Sequence, residues 1–203
     1  MMALLTAYSI YGAAQKTTLK ITDINTPLHA MRPDYPVPYG PVSAEEIKAV
    51  LNRLYIYLDD STPARMIDRN TKAELNSNDG LSPDAIFEPG VFRLVSYEWG
   101  VTYGAMLLAG EATGDDRFTS YTLKRMSLIA AASKYFGSAG AAEERRNNPV
   151  GSVLEPRSLD DAGSMCLAMI KTIIAGGSQS LRPLAENYIK YISSGQQRLN
   201  DGT

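Results

Sequence analysis

The sequence predicts an all-α protein built as an α/α toroid, and three observations support this. First, a strongly apolar helix, a short turn and a half-apolar helix follow one another twice, between residues 97 and 130 and again between 158 and 192. Second, no segment shows the alternation of apolar and polar residues, flanked by hairpin turns, that is typical of strands. Third, such helix pairs must bury their inner faces on neighbouring pairs, as in a helical ring. Two or three pairs would form an incomplete barrel.

The composition limits the partners of this chain. Its 203 residues are 44% hydrophobic and 21% charged, which is ordinary for a soluble globular protein with a real core. The net charge of -2 includes no basic stripe, so neither nucleic acid nor an anionic membrane is an expected partner.

Cysteine and histidine are too few for several kinds of site. Cys166 is the only cysteine, and its apolar helical surroundings predict a buried, inert thiol. His29 is the only histidine, which excludes zinc sites that need two imidazoles. We therefore expect no metal and no cofactor.

The amino-terminal residues indicate two segments before the helical domain. Residues 1–14 are apolar and uncharged and end in small residues, which is typical of a secretory signal, although no Lys or Arg precedes Lys16. This run is too short for a transmembrane helix. Residues 15–42 form a proline-rich arm, and residues 43–203 form the helical domain. We expect a periplasmic or secreted protein, with the cytoplasm as the alternative.

The helical domain begins with a clear start signal. Ser43 and Glu46 form a capping box, and the helix after it is predicted to cover about residues 44–59. Its buried face should contain the apolar residues at helical spacing, Ile47, Val50, Leu51, Leu54, Tyr55 and Leu58. Residues 60–95 have no clear periodicity and are predicted to be loops.

The next two helices are the first inner and outer pair. The run from Tyr97 to Ala109 is apolar on nearly every face, which predicts a helix buried all round that ends at Gly114. Asp115 and Asp116 then open a half-exposed helix. Its outward residues are predicted to be Arg117, Lys124 and Arg125.

The second pair repeats this pattern. Ser158 caps a mostly apolar helix that runs to about Ala175 and stops at Gly176 and Gly177. A final amphipathic helix follows. Its predicted buried residues are Leu181, Leu184, Tyr188, Ile189 and Ile192, and its predicted outward residues are Glu186, Asn187 and Lys190.

Two ordered motifs carry a family resemblance. One is the first inner helix with the turn after it, Tyr97-Glu98-Trp99-Gly100, Gly104, Leu107, Gly110 and Glu111-Ala112-Thr113-Gly114-Asp115. The other is Ser158-Leu159-Asp160-Asp161-Ala162-Gly163. Together they resemble glycoside hydrolase families 88 and 105, the unsaturated glucuronyl and unsaturated rhamnogalacturonyl hydrolases, over roughly residues 43–199. The overall pattern is more similar to the second family.

The resemblance implies a six-hairpin glycosidase barrel of nearly twice this length and a defined reaction. Such enzymes remove a 4,5-unsaturated uronic acid, here expected to be galacturonic acid, from oligosaccharides that pectin lyases generate. An aspartic acid protonates the double bond of the vinyl ether, water adds at the adjacent carbon, and the hemiketal collapses to release the sugar. The implied partner is therefore an oligosaccharide with an unsaturated uronate at its non-reducing end.

Asp161 is the candidate catalytic residue, because it matches the family's Asp-x-Gly motif at the start of an inner helix. The alternative interpretation is structural, since Ser158 and Asp161 have the spacing of a capping box. The family's second aspartate, usually the general acid, follows a later tryptophan, and the only tryptophan here is Trp99. We therefore expect a truncated protein that is inactive as it stands.

Four further residues are candidates for substrate binding. Trp99 and Tyr97 could form a stacking platform for a sugar ring, although aromatic residues in a buried helix usually belong to the core. Glu98 either binds substrate or interacts with the helix dipole. Asp160 is the neighbour of Asp161 and points elsewhere on the helix. A non-catalytic sugar-binding module or a helical-repeat interaction protein remains the alternative function.

Overall fold

The computed structural model describes residues 43–76, 81–138, 148–197 and 200. The predicted signal segment 1–14, the arm 15–42 and His29 lie outside the described residues. Within them the helices are α1 (Ala44–Ser61), α2 (Tyr97–Thr113), α3 (Asp116–Gly137), α4 (Gly151–Leu154), α5 (Leu159–Ile174) and α6 (Arg182–Lys190). A short 3₁₀ turn at Gln179–Leu181 precedes α6, and a π-helical turn at Tyr191–Gly195 continues it. The prediction of an all-α domain is confirmed for the bulk of these residues.

A small sheet lies in the region predicted to be loops, and there the prediction is wrong. Its strands are β1 (Met66–Asp68), β2 (Glu74–Leu75) and β3 (Ala85–Phe87), paired antiparallel in the order β2-β1-β3. Met66 pairs with Leu75 on one side and with Phe87 on the other. Strands of two or three residues are too short for alternation to be visible in a sequence.

The start of α1 agrees with the prediction, but its buried face does not. The Ser43 hydroxyl accepts from the Glu46 N–H at 3.2 Å, and the Glu46 carboxylate accepts from the Ser43 N–H at 2.8 Å, so both halves of the capping box are present. Leu51, Tyr55 and Leu58 pack on the core. The prediction is wrong for the other three apolar residues of this face, which are exposed: Ile47, Val50 and Leu54.

The first hairpin joins α2 to α3 through a tight turn. Gly114 adopts a left-handed conformation with φ of 68°, and its N–H donates to the Gly110 carbonyl at 2.9 Å. Asp115 caps α3 by accepting from the Arg117 N–H at 3.1 Å. The predicted helix end and helix start are both confirmed.

The second hairpin joins α5 to α6 in the same way. Ser158 caps α5, and Gly176 ends the turn after it with φ of 86°. Leu181 and Tyr188 are fully buried, as predicted, whereas the prediction is wrong for Ile189, which is exposed. Asn187, predicted to face outward, is half-buried instead, because its amide donates to the carbonyls of Val153 and Leu154 at the end of α4.

The two inner helices, α2 and α5, run parallel in close contact. Tyr97 meets Asp161, Gly100 meets Ser164, and Gly104 approaches Lys171, so positions advance in the same direction on both helices. A Cβ on Gly100 would lie 2.6 Å from the Ser164 carbonyl carbon, which explains why this position is glycine. The amino-terminal ends of α2 and α5 therefore lie side by side. We call this end of the helix pair the mouth.

A buried arginine on α3 corrects another prediction. Arg125, expected to face solvent, is 1% exposed. Its guanidinium donates to the Thr62 carbonyl and to the Asp59 carbonyl, pairs with the Asp59 carboxylate at 3.0 Å, and lies over the Tyr121 ring at 3.6 Å. Arg125 thus satisfies carbonyls that the end of α1 leaves without helical partners. Charge alone could not reveal this, because it depends on where α1 ends in space.

The inner helices are not buried all round, contrary to the prediction. On α2 the side chains of Val101 and Leu108 are 62% and 61% exposed, and on α5 Ile174 is 79% exposed. Cys166, in contrast, is buried as predicted, and burial raises the pKa of its thiol. Among the described residues no helix is long and apolar enough to cross a membrane.

Candidate functional site

The Asp161 carboxylate lies at the mouth, between the starts of two helices. It is in the first turn of α5, and its Oδ1 accepts from the main-chain N–H of Tyr97, the first residue of α2, at 2.7 Å. Within the part of the chain that the structure describes, no hydrogen bond is made by Oδ2. One carboxylate oxygen is therefore held by the protein, and the other can receive a substrate hydroxyl.

The geometry shows only half of the expected capping box at Ser158. The Ser158 hydroxyl accepts from the Asp161 N–H at 3.4 Å, as the pattern predicts. The Asp161 carboxylate turns to α2 instead of completing the box. Local sequence could not show this choice, because the competing donor lies 64 residues away in the chain.

Tyr97 and Glu98 lie at the same mouth and are exposed. The nearby Ser96 hydroxyl, the main-chain N–H of Glu98 itself and the positive charge of Arg93 lower the pKa of the Glu98 carboxylate. Glu98 is thus an ionised first-turn acid that complements the α2 dipole. Both side chains remain predicted substrate contacts.

Trp99, the third predicted binding residue of this segment, is in the core. It is 5% exposed, and its indole N–H donates to the Tyr121 hydroxyl at 3.2 Å. The Phe92 ring stacks on it with a centroid distance of 4.6 Å. Phe92 therefore presents the aromatic surface at this place, and Trp99 supports it from below.

Asp160 is exposed at the start of α5. Its main-chain carbonyl accepts from the Ser164 hydroxyl at 2.7 Å. Its side chain has no hydrogen-bond partner in the described ranges. Like Asp161 it lies at the mouth, where two parallel helix dipoles favour negative charge.

Sequence reasoning assigned Tyr188 only to the core, but this residue also interacts electrostatically with Asp161 of the candidate site. Its ring is fully buried, and its hydroxyl has no hydrogen-bond partner among the described residues. Burial raises the pKa of this phenol well above its usual value, and the negative charge of Asp161 contributes in the same direction. No local pattern distinguishes such a tyrosine from an ordinary core residue.

The comparison with known families decides how this mouth is interpreted. The model of glycosyl hydrolase family 88 matches residues 58–203. The chain belongs to glycosyl hydrolase family 88. No curated protein matches it at a significant level. The predicted group of families 88 and 105 is thereby confirmed, whereas the closer similarity to family 105 stays a prediction. The chain is a glycoside hydrolase of a family that acts on unsaturated uronides.

In this family 88 member, the two motifs that carried the resemblance meet in space. Gly100 of the first motif lets α2 approach the α5 backbone beside Asp161, and Gly110 lets Thr119 of α3 approach closely. A Cβ on Gly163, in contrast, would meet no atom within 4 Å. Gly163 therefore has no packing role in the described structure, and it leaves open space on the helix that carries Asp161.

Proposed function

We propose that this family 88 hydrolase removes a 4,5-unsaturated galacturonic acid from oligosaccharides left by pectin lyases, with Asp161 in contact with the substrate. The observation that carries the proposal is the position of Asp161. Its carboxylate is fixed at the mouth by Tyr97 through Oδ1, while Oδ2 has no described partner. Such a carboxylate can hold a sugar hydroxyl and stabilise positive charge as it develops on the ring.

The reaction is the hydration of a vinyl ether. A proton is added to one carbon of the double bond, water adds to the adjacent carbon, and the hemiketal collapses to release the remaining sugar. In this proposal Asp161 orients the substrate, and a second acid donates the proton. The family's tryptophan–aspartate motif has no counterpart among these 203 residues, so we place the proton donor on a part of the protein that this sequence does not contain.

The apolar side chains exposed on the inner helices support the same proposal. Val101 and Leu108 on α2 and Leu167 and Ile174 on α5 would be covered if further helical hairpins completed the ring. We therefore propose that the 203-residue chain alone is inactive and less stable than a chain extended along its reading frame. A periplasmic or secreted location, suggested by residues 1–14, belongs to this proposal as well.

The test follows the ultraviolet absorbance of the unsaturated uronyl group, which disappears when the double bond is hydrated. Lyase-generated disaccharides with unsaturated galacturonate and with unsaturated glucuronate are incubated with the 203-residue chain and with the chain extended along its reading frame. We expect loss of absorbance only with the extended chain, and faster loss with the galacturonyl substrate.

Two variants of the extended chain assign the site. Asp161→Asn keeps an oxygen that can accept from Tyr97, so the helix contact survives while the charge is lost, and we expect activity to fall by about a hundredfold or more. Asp116→Asn is the matched control, because Asp116 is also in a first turn but on α3. No loss of absorbance with any protein would contradict the proposal and favour a non-catalytic sugar-binding role.

A further inference from the structure

The loop that leads into α2 encloses a hollow next to the mouth. The hollow has a volume of about 310 Å³ and includes among its lining Glu88, Phe92, Arg93 and Leu94. The Glu88 carboxylate is already paired with Arg65. Phe92 and Arg93 are exposed, whereas Leu94 is buried beneath them. The loop therefore presents an aromatic ring and a cation to the same open space.

The Phe92 ring is held as a rigid surface. Trp99 stacks on it with an interplanar angle of 27°, and Tyr57 contacts it in an edge arrangement at 6.2 Å. Phe92 nevertheless remains 36% exposed. A supported aromatic ring that is open to solvent loses little conformational entropy on binding and can stack on the C–H face of a sugar.

Arg93 is the charged partner of this ring. Among the described residues Arg93 makes no ion pair, as is also true of other exposed arginines such as Arg53, so its guanidinium is open to a ligand. Its positive charge acts on the residues at the mouth, since Arg93 is one of the groups that lower the pKa of Glu98. A guanidinium presents parallel N–H donors that match the two oxygens of a carboxylate.

We propose that Phe92 and Arg93 form a subsite for a uronate ring of the oligosaccharide, in which the ring stacks on Phe92 and its carboxylate accepts hydrogen bonds from Arg93. The proposal rests on the proposed function for its class of ligand. It does not require catalysis, since a saturated uronate offers the same ring face and the same carboxylate.

The position of Trp99 permits a direct binding measurement. It is the only tryptophan in the chain and lies directly against Phe92, so a ligand on Phe92 should change its fluorescence. The 203-residue chain is titrated with saturated digalacturonate and with neutral galactobiose. We expect a saturable change with digalacturonate and binding of galactobiose at least tenfold weaker.

Variants then separate the two contacts. Arg93→Gln should weaken digalacturonate binding by about tenfold or more, since a charge-assisted bidentate contact is lost. Arg182→Gln is the matched control, because it removes the same charge from an exposed arginine at the start of α6, which does not line the hollow. Phe92→Ala should weaken the binding of both sugars, as measured by calorimetry. Circular dichroism confirms that this variant is folded.

The outcomes distinguish the subsite from the enzymatic function. Equal affinity for the acidic and the neutral sugar, or an equal loss of digalacturonate affinity in Arg93→Gln and Arg182→Gln, would overturn the subsite even if the absorbance assay shows hydrolysis. Selective binding that Arg93→Gln abolishes would support the subsite even if no protein hydrates the unsaturated substrate.

Discussion

The main-chain N–H of Tyr97, at the start of α2, donates a 2.7 Å hydrogen bond to Oδ1 of Asp161, in the first turn of α5. One carboxylate thereby satisfies a donor that α2 cannot satisfy within its own first turn. It also lies where the positive ends of two parallel helix dipoles meet. The residue proposed to touch the substrate is thus also a contact between the two inner helices.

Removing this contact should cost stability. We expect Asp161→Ala to lower the free energy of unfolding by about 1–2 kcal/mol, as for the loss of a capping side chain. Asp161→Asn should lower the free energy of unfolding by less, because its amide oxygen can still accept a hydrogen bond from the Tyr97 N–H. Urea unfolding followed by circular dichroism measures both. An alanine variant as stable as the parent protein would show that the contact contributes nothing to the helix pairing.

Gly100 should tolerate no side chain. In Gly100→Ala the new Cβ would lie 2.6–2.8 Å from atoms of Ser164 and Met165 on α5, so the helices must separate. We expect the free energy of unfolding to fall by about 2 kcal/mol. Gly104→Ala is the control, since the nearest atom to its new Cβ would be a side-chain carbon of Lys171 at 4.0 Å. This variant should be more stable than the parent protein by about 0.5–1 kcal/mol, because alanine has the higher helix propensity. A stable Gly100→Ala protein would contradict the close approach of α2 and α5.

Arg125 should be the most sensitive charged residue of α3. Arg125→Met leaves the buried Thr62 carbonyl and the partly buried Asp59 carbonyl without their Arg125 donor, and we expect the free energy of unfolding to fall by about 3 kcal/mol. Arg125→Lys keeps the charge but cannot reach all of these acceptors. Its stability should therefore lie between those of the parent protein and Arg125→Met. Thermal unfolding of the three proteins tests this order. Lys124→Met, on the exposed side of the same helix, serves as the control and should change stability by less than about 0.5 kcal/mol.

Tyr188 should behave in the opposite way, because its buried hydroxyl has no described partner. Tyr188→Phe removes a buried hydroxyl whose desolvation cost is not offset by a hydrogen bond. We therefore expect the free energy of unfolding to be unchanged or to rise by about 1 kcal/mol. The same comparison in an Asp161→Asn background measures whether the two residues are coupled. A destabilisation of more than about 1 kcal/mol would mean that the hydroxyl has a partner in solution.

The capping box of α1 should make stability depend on pH. The Ser43 N–H and hydroxyl lower the pKa of Glu46 in the folded state, so ionised Glu46 stabilises folding above its unfolded pKa. This contribution is lost as the pH falls from about 4.3 through the lower folded-state pKa. The difference in stability between the parent protein and Glu46→Gln should therefore be constant near pH 7 and change only in acid. Glu45→Gln, which removes an acid outside the box, should show no comparable change.

Much of the fold could be predicted because it depends on local chemistry. Ser43 with Glu46 marks the start of α1, and Gly114 with Asp115 marks the turn of the first hairpin. These are backbone requirements that nearby residues meet by themselves. The repeated inner and outer helices follow from apolar periodicity, which also acts over one or two turns.

The failures occur where a distant partner decides the outcome. Arg125 is buried because the end of α1 presents carbonyls to it, and no pattern on α3 records that end. Val101 and Leu108 are exposed although they are apolar, because burial depends on which helices are present to cover them. The three short strands exist through pairing with one another, which their two or three residues do not show.

The sequence by itself determined where helices start and stop, that they alternate as inner and outer pairs, and which two motifs resemble families 88 and 105. Only the tertiary structure decided that the Asp161 carboxylate accepts from Tyr97 of α2 instead of completing the Ser158 capping box, that Trp99 lies beneath Phe92, and that the Tyr188 hydroxyl is buried without a described partner. The physical reason is the range of the interactions. Caps and periodicity act within a few residues of the chain, whereas the mouth is assembled from groups that meet only when the parallel helices pack.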